Sequence, residues 1–503
     1  MDWSGGIWRD LELGLALDWS HATIDWSAAE SRLAPAFAAM AALEAGAVAN
    51  ADEGRMVGHY WLRMPEIAPT GLGPEIVRVR ELCRDIARDV HFERRYRNVL
   101  LLGIGGSALG PQLVADALAE PHDPLRLLCI DNTDPDGIAR VVGPLDLEET
   151  LVLCISKSGG TAETRNALLE VQAAYARAEV PFSSSAIAVT GEGSKLWHVA
   201  AEWRARVPMW DWVGGRTSLF SAVGLLPAFL QGIDVDALVA GAASIDAHTR
   251  TTRVETNPAA RLAWAWYQIG RAEKRRAMVV LPYRDRLVLF SRYLQQLVME
   301  SLGKALDRGG REVHEGLAVY GNKGSTDQHA YVQQLRDGPD DHFVTFVVSL
   351  DDGYHGQEEV EPGVASGDYL QGFYLGTRRA LADSGHPSLT VTLSQVDAFR
   401  VGALLALYER AVGLYAELVN INAYHQPGVE AGKKAAGAVI AMKPKLLAAL
   451  GDEPRRVDEI CTAAGLDDHA AAHALLSRLA ANDAGVVLQA GDSPAADRFA
   501  RPG

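Results

Sequence analysis

Ser156-Lys157-Ser158-Gly159-Gly160-Thr161 packs three hydroxyls and two glycines into six residues, directly after the apolar run 150–155. Small residues let the backbone turn its N–H groups inward. Such a nest ahead of a helix suits a phosphate. A second glycine turn, Gly103-Ile104-Gly105-Gly106-Ser107-Ala108-Leu109-Gly110-Pro111, follows the apolar run 98–102 and opens another helix. Its glycines allow close backbone approach to an anion. This turn also fits the loose pattern G-x-G-x-x-A, and Asp131 ends the next run where a ribose-binding acid would stand. A dinucleotide site is therefore a rival reading. That rival has no need of the Ser156 loop, whereas a sugar monophosphate does. The plain alternative for both loops is a tight turn serving packing alone.

The remaining candidates are groups that move protons or hold charge. Val213-Gly214-Gly215-Arg216-Thr217-Ser218 places an arginine after two glycines. Its permanent charge suits a developing oxyanion, although a surface arginine is commoner. In Gln295-Gln296-Leu297-Val298-Met299-Glu300-Ser301, Gln296 and Glu300 are four apart in an apolar helical pattern and share a face. A carboxylate there is costly to bury without purpose, and a general base is such a purpose. A solvated helix glutamate is the plain alternative. The polar loop 321–329 ends in Gln328-His329, a candidate for proton transfer. His314 and His425 compete with it, and spacing does not choose among the three. Gln426-Pro427-Gly428-Val429-Glu430-Ala431-Gly432-Lys433 offers a lysine after glycine, but its spacing is too short for a Walker loop. No metal-ligand spacing or HExxH is present, so no metal or other cofactor is expected.

These loops need elements to hold them. Short unalternated apolar runs at 98–102, 125–130, 150–155 and 186–190, bounded by Gly, Ser and Asp, read as strands buried on both faces. Helical stretches between them imply a parallel sheet covered by helices. The pattern restarts with strands at 277–281, 342–350 and 388–393, separated by helices such as 286–304 and 401–418. The first 90 residues, punctuated by Trp3, Trp8, Trp19 and Trp26, read as mostly helical. The expected divisions are a helical N-terminal segment over 1–90, domains over 91–235 and 236–450, and a small winged-helix-like appendage over 451–503. Acids outnumber arginines in that appendage, so packing is favoured over DNA reading there.

Composition narrows the class. Acidic residues exceed basic ones by 64 to 48, and the resulting charge of −16 disfavours nucleic acid or an anionic membrane as partner. The four cysteines are far apart, with no CxxC pair, which argues against a disulfide framework or zinc site. No basic start followed by an apolar stretch opens the chain, and the apolar stretch at 33–43 is too short to span a bilayer. A cytoplasmic location is the expectation.

Taken in order, GIGGSALGP, SKSGGTAET, VGGRTS, QQLVMES, Gln328-His329 and QPGVEAGK resemble glucose-6-phosphate isomerases over roughly residues 95 to 440. Each segment alone is modest, but six in the family's order are specific. The resemblance implies an α/β fold of two three-layer sugar-isomerase domains, each a mostly parallel sheet flanked by helices. It implies reversible isomerisation of glucose 6-phosphate and fructose 6-phosphate through a cis-enediol. Ser156, Lys157 (through its backbone), Ser158 and Thr161 look like the phosphate loop, and Gly106 and Ser107 like contacts to the sugar end. Glu300 looks like the base between C2 and C1, Arg216 the group stabilising the enediolate, and Gln296 a substrate-positioning neighbour. His329 looks like the ring-opening residue, reaching across a homodimer interface to a shared active site. Gln426 and Lys433 look like further sugar contacts, with Lys433 assisting ring opening. The sequence departs from the family at the residues after Lys157, at Pro427, where an aromatic is common, and at Ser301-Leu302-Gly303, where Asn often takes the middle place. None of these removes an acid, base or anchor. A dehydrogenase, a sugar-phosphate sensor and an isomerase of another hexose phosphate are the competing readings.

Overall fold

The computed structural model describes residues 6–271, 275–354 and 358–502, with the backbone but not the side chains of 429–431, 433 and 434. Two strands, β1 (Ile7–Asp10) and β2 (Leu15–His21), open the chain. Then β3 (Asn98–Leu102), β4 (Arg126–Ile130), β5 (Thr150–Ile155), β6 (Ala186–Gly191) and β7 (Ala205–Met209) form a parallel sheet in the order β4-β3-β5-β6-β7. Central β5 is buried at all six positions. Its unbroken apolar sequence is what a strand covered on both faces requires, and each fully buried Leu, Val or Ile contributes about 1.5–3 kcal/mol. The chain leaves β3 toward β4 on one side and returns to β5 on the other. The carboxyl ends of β3 and β5 thus flank a crevice at a topological switch point, where open α/β sheets bind ligands. The Gly103 and Ser156 loops both emerge there.

The second sheet has the order β1-β2-β15-β12-β8-β11. In it β8 (Ala277–Pro282), β11 (Val319–Tyr320), β12 (His342–Ser349) and β15 (Ser388–Leu393) run parallel. Antiparallel β2 adds β1 and itself to the β15 edge. Between β8 and β12 lies the ribbon β9 (Lys304–Leu306) and β10 (Glu312–Glu315). A small hairpin, β13 (Glu359–Glu361) and β14 (Val364–Ala365), precedes the helix Ser366–Asp383.

Several elements differ from the sequence expectation. The N-terminal segment begins with strands, not helix. Leu15, Leu17 and Trp19 alternate with less buried residues, so the period there is two. The tryptophans obscured this by reading as amphipathic punctuation. Strand β7 was not expected, because Arg206 and Pro208 interrupt its apolar pattern. It lies at a sheet edge, where a residue without an N–H is tolerated. The helix expected over 286–304 is broken into a 3₁₀ turn at Asp285–Leu287, an α-helix at Phe290–Leu294 and a π-helical segment at Gln295–Glu300.

Charged groups tie the N-terminal segment to the second sheet's helices. Arg63 Nε contacts Asp246 Oδ2 at 2.7 Å and its Nη1 meets Glu409, with all three side chains fully buried. Arg250 Nε contacts Glu44 Oε2 at 3.0 Å, and Arg410 meets the same carboxylate. Asp246 lies on the helix Val235–Thr249, and Glu409 and Arg410 on Ala398–Leu418.

The chain divides into compact units over 1–425 and 426–503. The expected appendage began at 451. In the structure Met442, Leu446 and Leu450 share an apolar core with Val457, Ile460, Leu476 and Phe499, which joins the C-terminal end of the helix Pro427–Ala449 to the tail. This unit also holds the helices Val457–Ala464 and His469–Ala481 and a sheet β16-β18-β17, built from β16 (Arg455–Arg456), β17 (Val487–Gln489) and β18 (Arg498–Ala500). Among the described residues no helix is long and apolar enough to cross a membrane.

Candidate active site

The loop after β5 is built as a nest. Ser156 Oγ accepts from Gly159 N–H at 3.1 Å, and Ser158 Oγ accepts from Gly160 N–H at 3.1 Å. Each hydroxyl keeps its own proton free to donate to an acceptor such as an anion. Gly159 has φ +64°, and a Cβ there would stand 2.2 Å from Leu196 N, so both conformation and space demand glycine. Thr161 is the N-cap of the helix Ala162–Arg177, and its hydroxyl makes no capping bond. The helix's first N–H groups and positive dipole end therefore face the same loop.

Lys157 does not turn its side chain toward that nest. Its Nζ donates to the carbonyls of Asp211 at 2.8 Å and Val213 at 3.1 Å. Burial, then the neighbouring Arg55, lowers its pKa to about 8. Lys157 thus ties the Ser156 loop to the loop that carries Arg216. That second loop is wedged against the first glycine turn, since a Cβ on Gly106 would stand 2.0 Å from Gly215 O.

Arg216 and Glu300 meet at this junction. Arg216 Nη1 lies 3.1 Å from Glu300 Oε2, with side-chain exposures of 4% and 18%. Arg216 Nη2 donates to the carbonyls of Ala423 at 2.7 Å and His425 at 3.1 Å, which fixes the guanidinium plane. Burial lowers the Arg216 pKa and Glu300 opposes the shift, but arginine keeps its charge at any working pH. Glu300 ends the π-helical segment, a widened turn that recurs at functional sites. Gln296 opens toward the same side, its Nε2 within 3.0 Å of where a Cβ on Gly105 would stand. A glycine- and hydroxyl-rich loop, a fixed cation and a carboxylate are therefore carried by segments that contact one another. This set can anchor a phosphate monoester, remove a proton and hold the resulting anion.

The sequence pattern of the phosphoglucose isomerase family matches residues 28–360 and 376–449. The chain belongs to the phosphoglucose isomerase family. It is 60% identical over 430 residues to a glucose-6-phosphate isomerase from a Synechococcus strain, covering 83% of this chain and 81% of that one. It is 55% identical over 467 residues to one from Geobacter strain M21, covering 90% and 88%. Its fold matches the crystal structure of a glucose-6-phosphate isomerase from Chlamydia trachomatis with a TM-score of 0.78, at 25% identity, over 88% and 91% of the chains.

Within this phosphoglucose isomerase family chain, the structure does not bring every expected residue together. His329 closes the 3₁₀ turn Thr326–His329 and is exposed, with no hydrogen bond or ion pair to Glu300 or Arg216 among the described residues. Its rival His314 is exposed and pairs with Glu312 at 2.6 Å. His425 is half-buried near the pair, and burial, then Lys304, lowers its pKa. Gln426 opens the second unit, and the Lys433 side chain lies outside the described residues. Asp131, the acid of the dinucleotide rival, is engaged by Gln112 Nε2 at 3.1 Å and Arg292 Nη2 at 3.5 Å.

Some residues of the site escaped sequence reasoning. Buried Asp327 organises the His329 loop, accepting from Lys323 N–H at 3.0 Å, from Asn322 N–H at 3.1 Å and from the Tyr331 hydroxyl. Asp52, Asn422 and Lys304 come from three distant stretches: Asn422 donates to the Asp52 carboxylate, and the Lys304 charge is felt alongside those of Asp52, Glu300 and Arg216. No sequence spacing links Asp52 to the others. The Glu300–Lys304 interval of four was the one visible signal, and it points to a contact of a different kind from a helical ion pair.

Proposed function

We infer that the chain interconverts D-glucose 6-phosphate and D-fructose 6-phosphate by ring opening and proton transfer through a cis-enediol. The observation that carries this reading is the 3.1 Å pairing of Arg216 with Glu300 at the switch-point crevice, beside a phosphate nest. High identity to curated glucose-6-phosphate isomerases over most of the chain supports it.

In this mechanism the phosphate sits in the loop of Ser156, Lys157, Ser158 and Thr161, with the Lys157 contribution coming from its backbone. Gly106, Ser107 and Gln296 take the sugar end. Glu300 removes the C2 proton and returns it to C1 on the same face of the planar intermediate. The Arg216 charge holds the enediolate oxygen, an effect typically about 3–4 kcal/mol for a preorganised donor. His329 and Lys433 open the ring, and Gln426 adds a sugar contact. An exposed His329, with no hydrogen bond or ion pair to Glu300 or Arg216 among the described residues, suits a residue that serves a partner's site. On that ground we assign a homodimer with shared active sites. The likeness to curated glucose-6-phosphate isomerases supports a part in glycolysis and gluconeogenesis, which are reactions of the cytoplasm.

The test is metal-free conversion of glucose 6-phosphate by the wild type and Glu300→Gln. Turnover in the wild type, lost by several orders of magnitude in the variant, is the expected result. A folded wild type with no turnover would overturn the isomerase reading. Activity surviving in the variant would overturn the role of Glu300.

A further inference from the structure

Lys304 is an unusual residue to find where it stands. Its residue exposure is 5%, and it lies two residues past Leu302, where the helix that carries Glu300 ends. Its Nζ donates to the main-chain carbonyl of Glu300 at 2.6 Å, not to the carboxylate. Carbonyls in the last turn of a helix lack partners within it, and a cation there satisfies them and the negative dipole end together. Other charges converge on the ammonium. Arg216 comes from the Gly215–Thr217 turn, Asp52 from the Ala51–Glu53 turn, His425 from the segment before the second unit, and Glu300 from its own helix. Asp52 is itself held, since Asn422 Nδ2 donates to its carboxylate and His425 Nε2 lies 3.9 Å away.

The carboxylate of Glu300 is thus steadied from its front by Arg216 and its backbone from behind by Lys304. Burying a lysine costs several kcal/mol unless something uses its charge. A purely structural end to the helix could be made by water or by a neutral donor.

We propose that Lys304 is a positioning residue for proton transfer, gripping the Glu300 main chain so that its carboxylate stays aligned with Arg216 and with the carbons between which the proton moves. The inference rests on the isomerase reading of this same site. The ammonium also adds a second positive charge near the anionic intermediate, behind the one that touches it. Burial, then Arg216, lowers the Lys304 pKa to about 8, with Glu300 and Asp52 opposing. The charge is therefore full below that pH and lost as pH rises through it.

The experiment measures kcat and KM for glucose 6-phosphate from roughly pH 6 to roughly pH 10, spanning the lysine's titration. It compares wild type, Lys304→Met and Lys304→Arg, each scaled to folded protein by circular dichroism and melting temperature. The expected result for Lys304→Met is a kcat about 10- to 100-fold lower, as for a base displaced by up to about 1 Å, with KM changed less. Wild-type kcat should fall as pH rises through about 8, where the ammonium loses its charge, and that fall should be absent in Lys304→Met. Lys304→Arg should recover most of kcat and move that fall to higher pH, because arginine does not titrate there. If both variants lose only melting temperature and keep the wild-type kcat and pH profile, the residue is structural and the proposal is overturned. If Lys304→Met does not fold, Lys304→Arg decides alone, since an unmoved alkaline fall also overturns it. A folded wild type that does not isomerise glucose 6-phosphate would sink the reading beneath both, and is distinguishable because the wild type is measured first.

Discussion

Gly106→Ala tests whether the two glycine loops set the geometry of Arg216. A Cβ at 106 would stand 2.0 Å from Gly215 O, 2.2 Å from Gly215 C and 2.8 Å from Gly215 Cα. These are backbone atoms, so no side chain can swing aside. Reaching even the closest contact real structures tolerate, 3.0 Å, requires the loops to part by about 1 Å. Arg216 is the next residue along, and its contact to Glu300 is 3.1 Å. A displacement of that size can cost about a hundredfold in rate, or about 2.7 kcal/mol of transition-state stabilisation. The assay is kcat/KM for glucose 6-phosphate alongside the melting temperature. Gly376→Ala is the control. It lies on the helix Ser366–Asp383 with open space at its Cβ, so activity should be unchanged and stability should rise by up to about 1 kcal/mol. A folded Gly106→Ala enzyme with kcat/KM within about threefold of wild type would refute the wedge argument.

Other outcomes follow from the buried charges. Arg63→Met leaves buried Glu409 without its paired cation and Asp246 with only the longer contacts to Arg410 at 3.6 Å and Arg250 at 3.7 Å, and should cost about 3–5 kcal/mol in denaturant unfolding. A loss below about 1 kcal/mol would mean that the carboxylates are satisfied elsewhere. His59 is buried with neither ring nitrogen hydrogen-bonded among the described residues. Burial, then the charges of Arg63, Arg410 and Arg216, holds its pKa well below the ordinary histidine value. The unfolded chain takes up a proton near about pH 6.5 that the folded one refuses. Stability from this group is therefore full above that pH and falls below it, by up to about 1.4 kcal/mol per pH unit. His59→Leu should flatten that fall in urea midpoints measured across the acid range, and an unchanged slope would count against it.

The site was legible where function leaves a local mark. The Ser156 loop must be small, polar and glycine-rich to turn its N–H groups inward, and that composition shows in six consecutive residues. Strands β3 and β5 were readable to the residue because burial on both faces demands a near-continuous apolar run, and β15 because its Thr and Val are β-branched. The N-terminal hairpin was not readable, because its partner β15 lies more than 360 residues away and the pairing makes it strand. The π-helical turn was equally silent, since Gln295–Glu300 has an ordinary helical composition and the widened turn appears only in the fold.

By itself the sequence determined which groups this protein has to work with: a hydroxyl- and glycine-rich loop, an arginine, a carboxylate on an apolar helix, and sheets to hold them. Its order of segments was enough to place the chain in a family. Tertiary structure alone decided which groups meet. It turned Lys157 away from the nest to brace the Arg216 loop, set Lys304 behind Glu300, and left His329 facing outward. Side-chain direction and long-range approach depend on how distant elements pack, and no spacing along the chain encodes a 3.1 Å contact between residues 216 and 300.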